Sequence, residues 1–301
     1  MAVLGVAYLS FVPFGTRPDR SFSTAVARPA CVTRHPAVLI DEAHYNAHTA
    51  VSGFGPFATL MQNDGYEVRR NAAAFAPEVL RGVDVLVIAN AAGGSNPKLF
   101  GINLEPLRKG TREGPAFRDG EIAAVRGWVE QGGSLLLVAD HHPFGAAAAE
   151  MAAAFEVTMH GGFTEVAHQY PGQRDPAAIE FARENGLLAD HPITNGRSAE
   201  ERVTRVRSFT GQSLTAAPEA LLLKLPASAT EVVPPKLKAR PAGNAQAVAF
   251  ALGRGRVVIF GEAGMLTAQV TAEGEHFGMN VDGLDNRQLA LNVMHWLSRL
   301  L

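Results

Sequence analysis

Cysteine is nearly absent from this chain. One residue, Cys31, in 301 leaves neither an internal disulfide nor a cysteine-based zinc cluster within reach. It precedes the first predicted strand, in an irregular segment, which argues against a catalytic thiol. Excess charge is missing too: the formal net charge is −2 and the basic residues are scattered, so nucleic acid is not an expected partner. The short run Lys236-Leu237-Lys238-Ala239-Arg240 reads as a solvated, Pro-rich loop. Long apolar runs are lacking as well. Met1 to Phe14 is mostly apolar but is broken by Pro13 and Gly15, short of the ~20 residues a bilayer span takes. That stretch fits a trimmed secretory signal without its basic n-region and a terminal arm equally well. The first reading implies a periplasmic or secreted protein, the second a cytoplasmic one. Gly93-Gly94 matches neither a P-loop nor a dinucleotide fingerprint, so no nucleotide cofactor is expected. Ser213 lies outside a nucleophile-elbow context. Internal repeats and heptads are absent, and nothing in the sequence sets an oligomeric state.

What is present is the composition of a globular protein, 47% hydrophobic and 19% charged, long enough to bury a core. Residues 1–35 read as an arm or signal-like segment, and 36–301 as one α/β domain. Ala37 to Ile40 is a continuous apolar run, as expected of a strand buried on both faces. Phe54 to Asn63 follows as a helix, then a strand at Tyr66 to Val68, a short helix at Pro77 to Arg81 and a strand at Val83 to Ala89. Phe117 to Gln131 is helical, stopped by Gly132-Gly133. Ser134 to Ala139 is the clearest strand, with a helix from Gly145 to Phe155 after it. This β-then-α alternation predicts a parallel sheet with right-handed crossovers. Strands are expected again at Val203 to Phe209, Ala220 to Leu225, Ala247 to Leu252 and Arg256 to Phe260. The chain ends in a helix with Leu289, Val293, Trp296, Leu297 and Leu300 on its apolar stripe.

In open parallel sheets, ligands bind beyond the carboxyl ends of the strands. Four predicted strand ends here carry acids, imidazoles or an amide. They are Asp41-Glu42-Ala43-His44-Tyr45-Asn46-Ala47-His48, Asn90, Asp140-His141-His142-Pro143, and Gly261-Glu262. If residues 41–48 turn helical, His44 and His48 stand four apart on one face and can share a metal ion, with Asp41 or Glu42 adding a carboxylate. A polar loop in which Asp41 caps the next helix is the plainer alternative. At Asp140-His141-His142, adjacent residues point apart, so one histidine faces the cleft while Asp140 serves either chemistry or a cap. Glu262 leaves an apolar strand partly desolvated. That suits it to acid–base work, or it caps the segment starting at Ala263. His276 and Asn280, in the loop before the last helix, reach toward the same place.

The stretch Leu188-Ala189-Asp190-His191-Pro192-Ile193-Thr194 resembles the D-H-P-I-T segment of trehalose-utilisation-protein-like members of the class I glutamine amidotransferase-like superfamily. Gly132-Gly133-Ser134-Leu135-Leu136-Leu137 ahead of Ala139-Asp140-His141 is similar to their strand leading to the elbow. Ile40-Asp41-Glu42-Ala43-His44 with the distal Gly261-Glu262-Ala263 resembles a bacterial family of this fold whose members are often exported. The likeness runs from about Pro36 to the end. It implies a flavodoxin-like three-layer fold with a mostly parallel central sheet. The amidotransferase elbow cysteine is replaced by Asp140-His141, and the late His-x-Glu by Gly261-Glu262, which excludes glutamine hydrolysis through a thioester.

Two functions are expected on these grounds. The first is a metal-assisted hydrolase of a small polar or carbohydrate-like substrate. His44, His48, His142, Asp41 and Glu42 would hold zinc or manganese, and Glu262, Asp140 and His141 would do the chemistry. Asn90, Asn46, His276 and Asn280 would contact the substrate. The second is a non-catalytic sugar- or peptide-binding domain of the cell envelope, using the same polar groups without turnover.

Overall fold

The computed structural model describes residues 16–92, 114–234 and 238–301, with the short strands Lys98–Leu99 and Ile102–Asn103 between. Its centre is a nine-stranded sheet. Three of the strands are fully buried runs: β1 (Ala37–Asp41), β3 (Val85–Ala89) and β4 (Ser134–Val138). Such runs require cover on both faces. By contrast β2 (Glu67–Asn71) shows Glu67, Arg69 and Arg70 to solvent and sits at the sheet's edge, where charge discourages pairing with another chain. The later strands are β5 (Thr158–Met159), β6 (Leu214–Thr215), β7 (Leu221–Lys224), β8 (Ala245–Leu252) and β9 (Gly255–Phe260).

The spatial order is β2-β1-β3-β4-β9-β8-β6-β5, with β7 also pairing β8. From β2 to β9 every neighbour is parallel. Beyond β9 the pairing turns antiparallel, because Gly253 at φ 56° closes a tight hairpin between β8 and β9. The carboxyl ends of β1, β3, β4 and β9 therefore share one edge.

Alternate strand residues feed two separate cores. Val38, Ile40, Val87, Val138 and Phe260 pack with α1 (Gly55–Asn63) and with a long C-terminal helix. Leu39, Leu86, Ile88, Leu137 and Ile259 pack on the opposite face with α2 (Asp119–Glu130) and α3 (Phe144–Ala153). The C-terminal helix is α4 (Asn286–Leu297), which buries Leu289, Val293 and Leu297. This is the period-2 pleat meeting the 3.6-residue helical period.

Several expectations need correction. Pro77 to Arg81 is a turn rather than a helix, so β2 reaches β3 without a helical crossover. The strand expected at Val203 to Phe209 is shorter, Arg205–Arg207, and pairs with Glu180–Ala182 outside the main sheet. The apolar start of the chain and Gly93-Gly94 lie outside the described residues. From Arg17 the arm is tied down: Arg17 and Pro18 pair with Val270 and Gln269, and the Ala30 amide donates to Asp64 at 2.7 Å. Among the described residues, no helix is long and apolar enough to cross a membrane.

The β8–β9 hairpin supplies a stability test. A Cβ on Gly255 would stand 2.1 Å from the Val129 carbonyl oxygen and 2.3 Å from that of Gly133, both backbone atoms. Gly255→Ala should therefore lose about 1–3 kcal/mol, read as a lower urea midpoint at unchanged slope. An unchanged midpoint would mean that α2 moves aside freely.

Candidate functional site

The strand ends are stitched together by their polar residues. Asn90 leaves β3 with a left-handed backbone, φ 47°, and faces Asp140 beyond β4. The two form a reciprocal pair. Asn90 Nδ2 donates to Asp140 Oδ2 at 2.7 Å, and the Asp140 amide donates to Asn90 Oδ1 at 2.9 Å. The other oxygen of Asp140 accepts the Ala263 amide at 2.6 Å, which joins β4 to the segment after β9. Asp140 does not cap α3, whose N-cap position is Pro143. Buried Gln212 adds a further stitch, donating to the carbonyls of Ala139 and Asp140 and accepting from the Gly161 amide.

Next to Asp140 lies Glu262, 1% exposed. Burial pushes its carboxyl well above the usual range and the charge of Asp140 adds to the rise, opposed by the amides of Met265, Gly264 and Thr210. The Met265 amide reaches Glu262 Oε2 at 2.7 Å, so Glu262 also caps the short turn Gly264–Leu266. His48 stacks on Phe54 with ring centroids 5.5 Å apart. Burial lowers its pKa, with Asp140 pulling the other way, and its Nδ1 has no partner among the described residues. Burial thus favours the uncharged forms of both groups that flank Asp140.

These groups form the floor of a cleft of about 570 Å³. His141 contributes a wall, stacked on Phe163 at 4.3 Å, with its Nδ1 2.8 Å from the His142 carbonyl. A carbonyl can only accept, so Nδ1 carries a proton and donates to it. His142 is absent from the lining. Opposite stand Tyr170 and Arg207, the guanidinium 4.6 Å above the ring. Phe209 and Phe277, 4.2 Å apart, supply an apolar face.

The metal-ligand set expected from sequence is not brought together. Residues 42–54 are not helical, because Tyr45 takes a left-handed φ of 53° and Asn46 pins the loop to the Ala89 carbonyl. His44 and His48 consequently diverge. His44 turns into the α2 side and lies between two carboxylates. Its Nδ1 is 2.8 Å from Asp41 Oδ2 and its Nε2 is 2.8 Å from Glu121 Oε1. Burial opposes its protonation, yet Asp41 and Glu121 together hold its pKa above the ordinary value. Both ring nitrogens act as donors there, which leaves no lone pair for a metal. Glu42 is taken by Arg70 at 2.6 Å and by the Ala50 amide at 3.0 Å. Among the described residues, no three His, Cys, Asp or Glu side chains form a group that can hold a metal ion.

Of the other expected contacts, His276 lines the cleft, whereas Asn46 holds a loop and Asn90 holds Asp140. Asn280 Nδ2 donates to Asp19 Oδ2 at 2.9 Å and to the Gln269 carbonyl at 2.8 Å, fastening the arm. The D-H-P-I-T segment is structural: His191 Nδ1 accepts the Ile193 amide at the head of the turn Pro192–Asn195. Burial, with help from Arg256, brings the His191 pKa down to about 4. Sequence reasoning missed Glu121, Gln212, Tyr170 and Arg207. Glu121 reads as an ordinary first-turn acid of α2, and the others follow no strand of the parallel set.

No family model matches the sequence, and no curated protein matches it significantly. Solved structures do. The mmIFT52 N-terminal domain superposes with a TM-score of 0.60 at 12% identity, covering 87% of this chain and 97% of that one. A cytoplasmic protein from Salmonella typhimurium gives 0.46 at 16% identity over 87% and 98% of the two chains. A ThuA-like protein from Bacteroides uniformis gives 0.41 at 12% identity over 93% and 95%. The last two scores are too low to bear on the assignment. The chain is a mixed α/β protein built on a large, mostly parallel sheet, and it shares its fold with the mmIFT52 N-terminal domain.

Proposed function

We propose that this chain is a hydrolase of the flavodoxin-like, three-layer, class I glutamine amidotransferase-like fold, acting on a small carbohydrate-like substrate beyond β4 and β9. One observation carries the reading. Two neighbouring carboxyl groups at the floor of the cleft stand in different environments: Glu262 is buried, which pushes its carboxyl well above the usual range, while Asp140 accepts hydrogen bonds from Asn90 and from the Ala263 amide. Pairs divided in this way supply an acid and a base from one residue type. Glu262 donates its proton to the leaving oxygen. Asp140, held by Asn90 and the Ala263 amide, takes the proton of the attacking water. His48, neutral, adds a further polar contact, and Tyr170, Phe209 and Phe277 offer faces on which a sugar ring stacks. No step runs through a metal, because His44 and Glu42 are already committed to partners.

A second reading, a sugar-binding domain without turnover, draws on a different fact: both oxygens of Asp140 and the Glu262 carboxylate also accept main-chain or side-chain amides. A panel of nitrophenyl glycosides and nitrophenyl acetate separates the two. Turnover by the wild type that falls about 10²–10⁴-fold in Asp140→Asn supports the hydrolase. Asparagine there keeps an acceptor for Ala263. Saturable glycoside binding without turnover supports the binding domain, and neither binding nor turnover sinks both.

A further inference from the structure

One aromatic face of the main cleft lies directly against Glu262. Gly264, in the short turn that Glu262 caps, stands between that carboxyl and Phe277. A Cβ on Gly264 would be 2.5 Å from Glu262 Oε1 and 2.5 Å from Cε1 of Phe277, so those two atoms are separated by no more than twice that distance. Phe209 approaches the same carboxyl from another segment. Its neighbour Thr210 offers Glu262 a backbone amide, and a Cβ on Gly211 would be 2.6 Å from Glu262 Cβ. The rings of Phe209 and Phe277, with centroids 4.2 Å apart, thus form one half-buried face beside Glu262 in the cleft wall.

The donors beside this face are engaged within the protein. Thr210 Oγ1 donates to the Phe209 carbonyl at 2.6 Å. Gln269, directly across from Phe277 in the strand pair that carries it, donates from Nε2 to Thr267 Oγ1 at 2.7 Å. A sugar ring enclosed there would need partners for its hydroxyls, whereas an apolar group gains from contact alone. Tyr170 differs, because the Arg207 guanidinium stands over its ring as a polar neighbour. On the hydrolase reading, on which this inference rests, Glu262 protonates the leaving oxygen, so the group bonded to that oxygen lies next to the acid. We infer that the Phe209–Phe277 face is the leaving-group subsite and takes an apolar group, which makes the substrate an aryl or alkyl glycoside. Water bonds to the anomeric carbon as the bond from that carbon to the leaving oxygen breaks. The apolar alcohol departs with the proton of Glu262, Asp140 takes one from the water, and exchange with solvent restores both carboxyls.

Titration calorimetry of the full chain with the phenyl and methyl 1-thioglycosides of glucose, galactose and mannose, which resist hydrolysis, tests the subsite without turnover. For at least one sugar the phenyl ligand should bind about tenfold tighter than the methyl ligand. In Phe277→Ala most of that advantage should disappear. Phe209→Ala, in a separate segment, gives the same reading if Phe277→Ala does not fold. A phenyl ligand that binds no tighter than methyl, that keeps its advantage in the folded variant, or that does not bind at all overturns the subsite. Turnover of the nitrophenyl glycosides is scored apart. Turnover without a phenyl advantage removes the subsite and keeps the hydrolase. A phenyl advantage that is lost in the variant, with no glycoside turned over, overturns the leaving-group role together with the hydrolase and leaves only an apolar binding face.

Discussion

Replacing His44 with alanine should destabilise the fold by about 3–5 kcal/mol, the cost of leaving a buried charge without its partner. Asp41 is fully buried and Glu121 nearly so, and both direct an oxygen at the same imidazole. Without the ring, the two carboxylates face a cavity between Phe75 and Phe117, whose rings lie tilted against His44 with centroids 4.7 and 4.8 Å away. The loss should depend on pH with a defined sign. His44 is held above its ordinary value of 6.5, so its contribution is complete below 6.5 and fades as pH rises through the raised value. Burial pushes Glu121 up, but His44 and the amides of Arg118 and Phe75 more than offset it and hold it below 4.5. Its contribution is therefore complete above 4.5 and fades as pH falls through the lowered value. Urea unfolding of both proteins from pH 4 to 9 should show the largest gap between 4.5 and 6.5. A gap that stays flat across this range, or is under 1 kcal/mol, would show that the three groups are not an ionised cluster.

Glu262→Gln should remove turnover by about 10²–10⁴-fold while leaving the protein folded at neutral pH. The reasoning turns on the protonation state. If burial and Asp140 keep Glu262 neutral, the amide is a near-isostere, and it retains a carbonyl oxygen for the Met265 amide. Only the transferable proton is lost. A second readout does not depend on activity. Above 4.5 the unfolded chain releases a proton that folded Glu262 keeps, so wild-type stability should decline with rising pH up to the raised value. The Gln variant should lack that component. Full turnover in Glu262→Gln would remove Glu262 from the chemistry, and an identical pH dependence of stability would show that it is ionised in the fold.

Where the argument from sequence worked, local chemistry was sufficient. The run Ala37-Val38-Leu39-Ile40 has no polar face, so it forms a strand covered on both sides. Gly132 at φ 122° stops α2 where the glycine pair stood. Where the argument failed, the deciding contact was distant. His44 and His48 have the spacing of a metal-binding helix, and nothing nearby forbids one. The loop is irregular because Asn46 and Ala47 bond to the end of β3, more than forty residues away. Pro77 to Arg81 carries helical residue types but lies in a link too short and too exposed to bury a helical face.

The sequence by itself determined most of the elements of the sheet's parallel core, and the placing of Asp41 at the end of β1 and of Asn90, Asp140 and Glu262 just past strand ends. Periodicity and glycine stops are short-range properties, and strand-end residues follow from strand limits. The tertiary structure alone decided which of those groups meet. It joined Asn90 to Asp140 across fifty residues and gave His44 to Glu121 across seventy-seven. It also left His48 and Glu262 beside Asp140. Protonation state depends on burial and on neighbours within a few ångströms, and those neighbours exist only once the sheet has brought its strand ends to one edge.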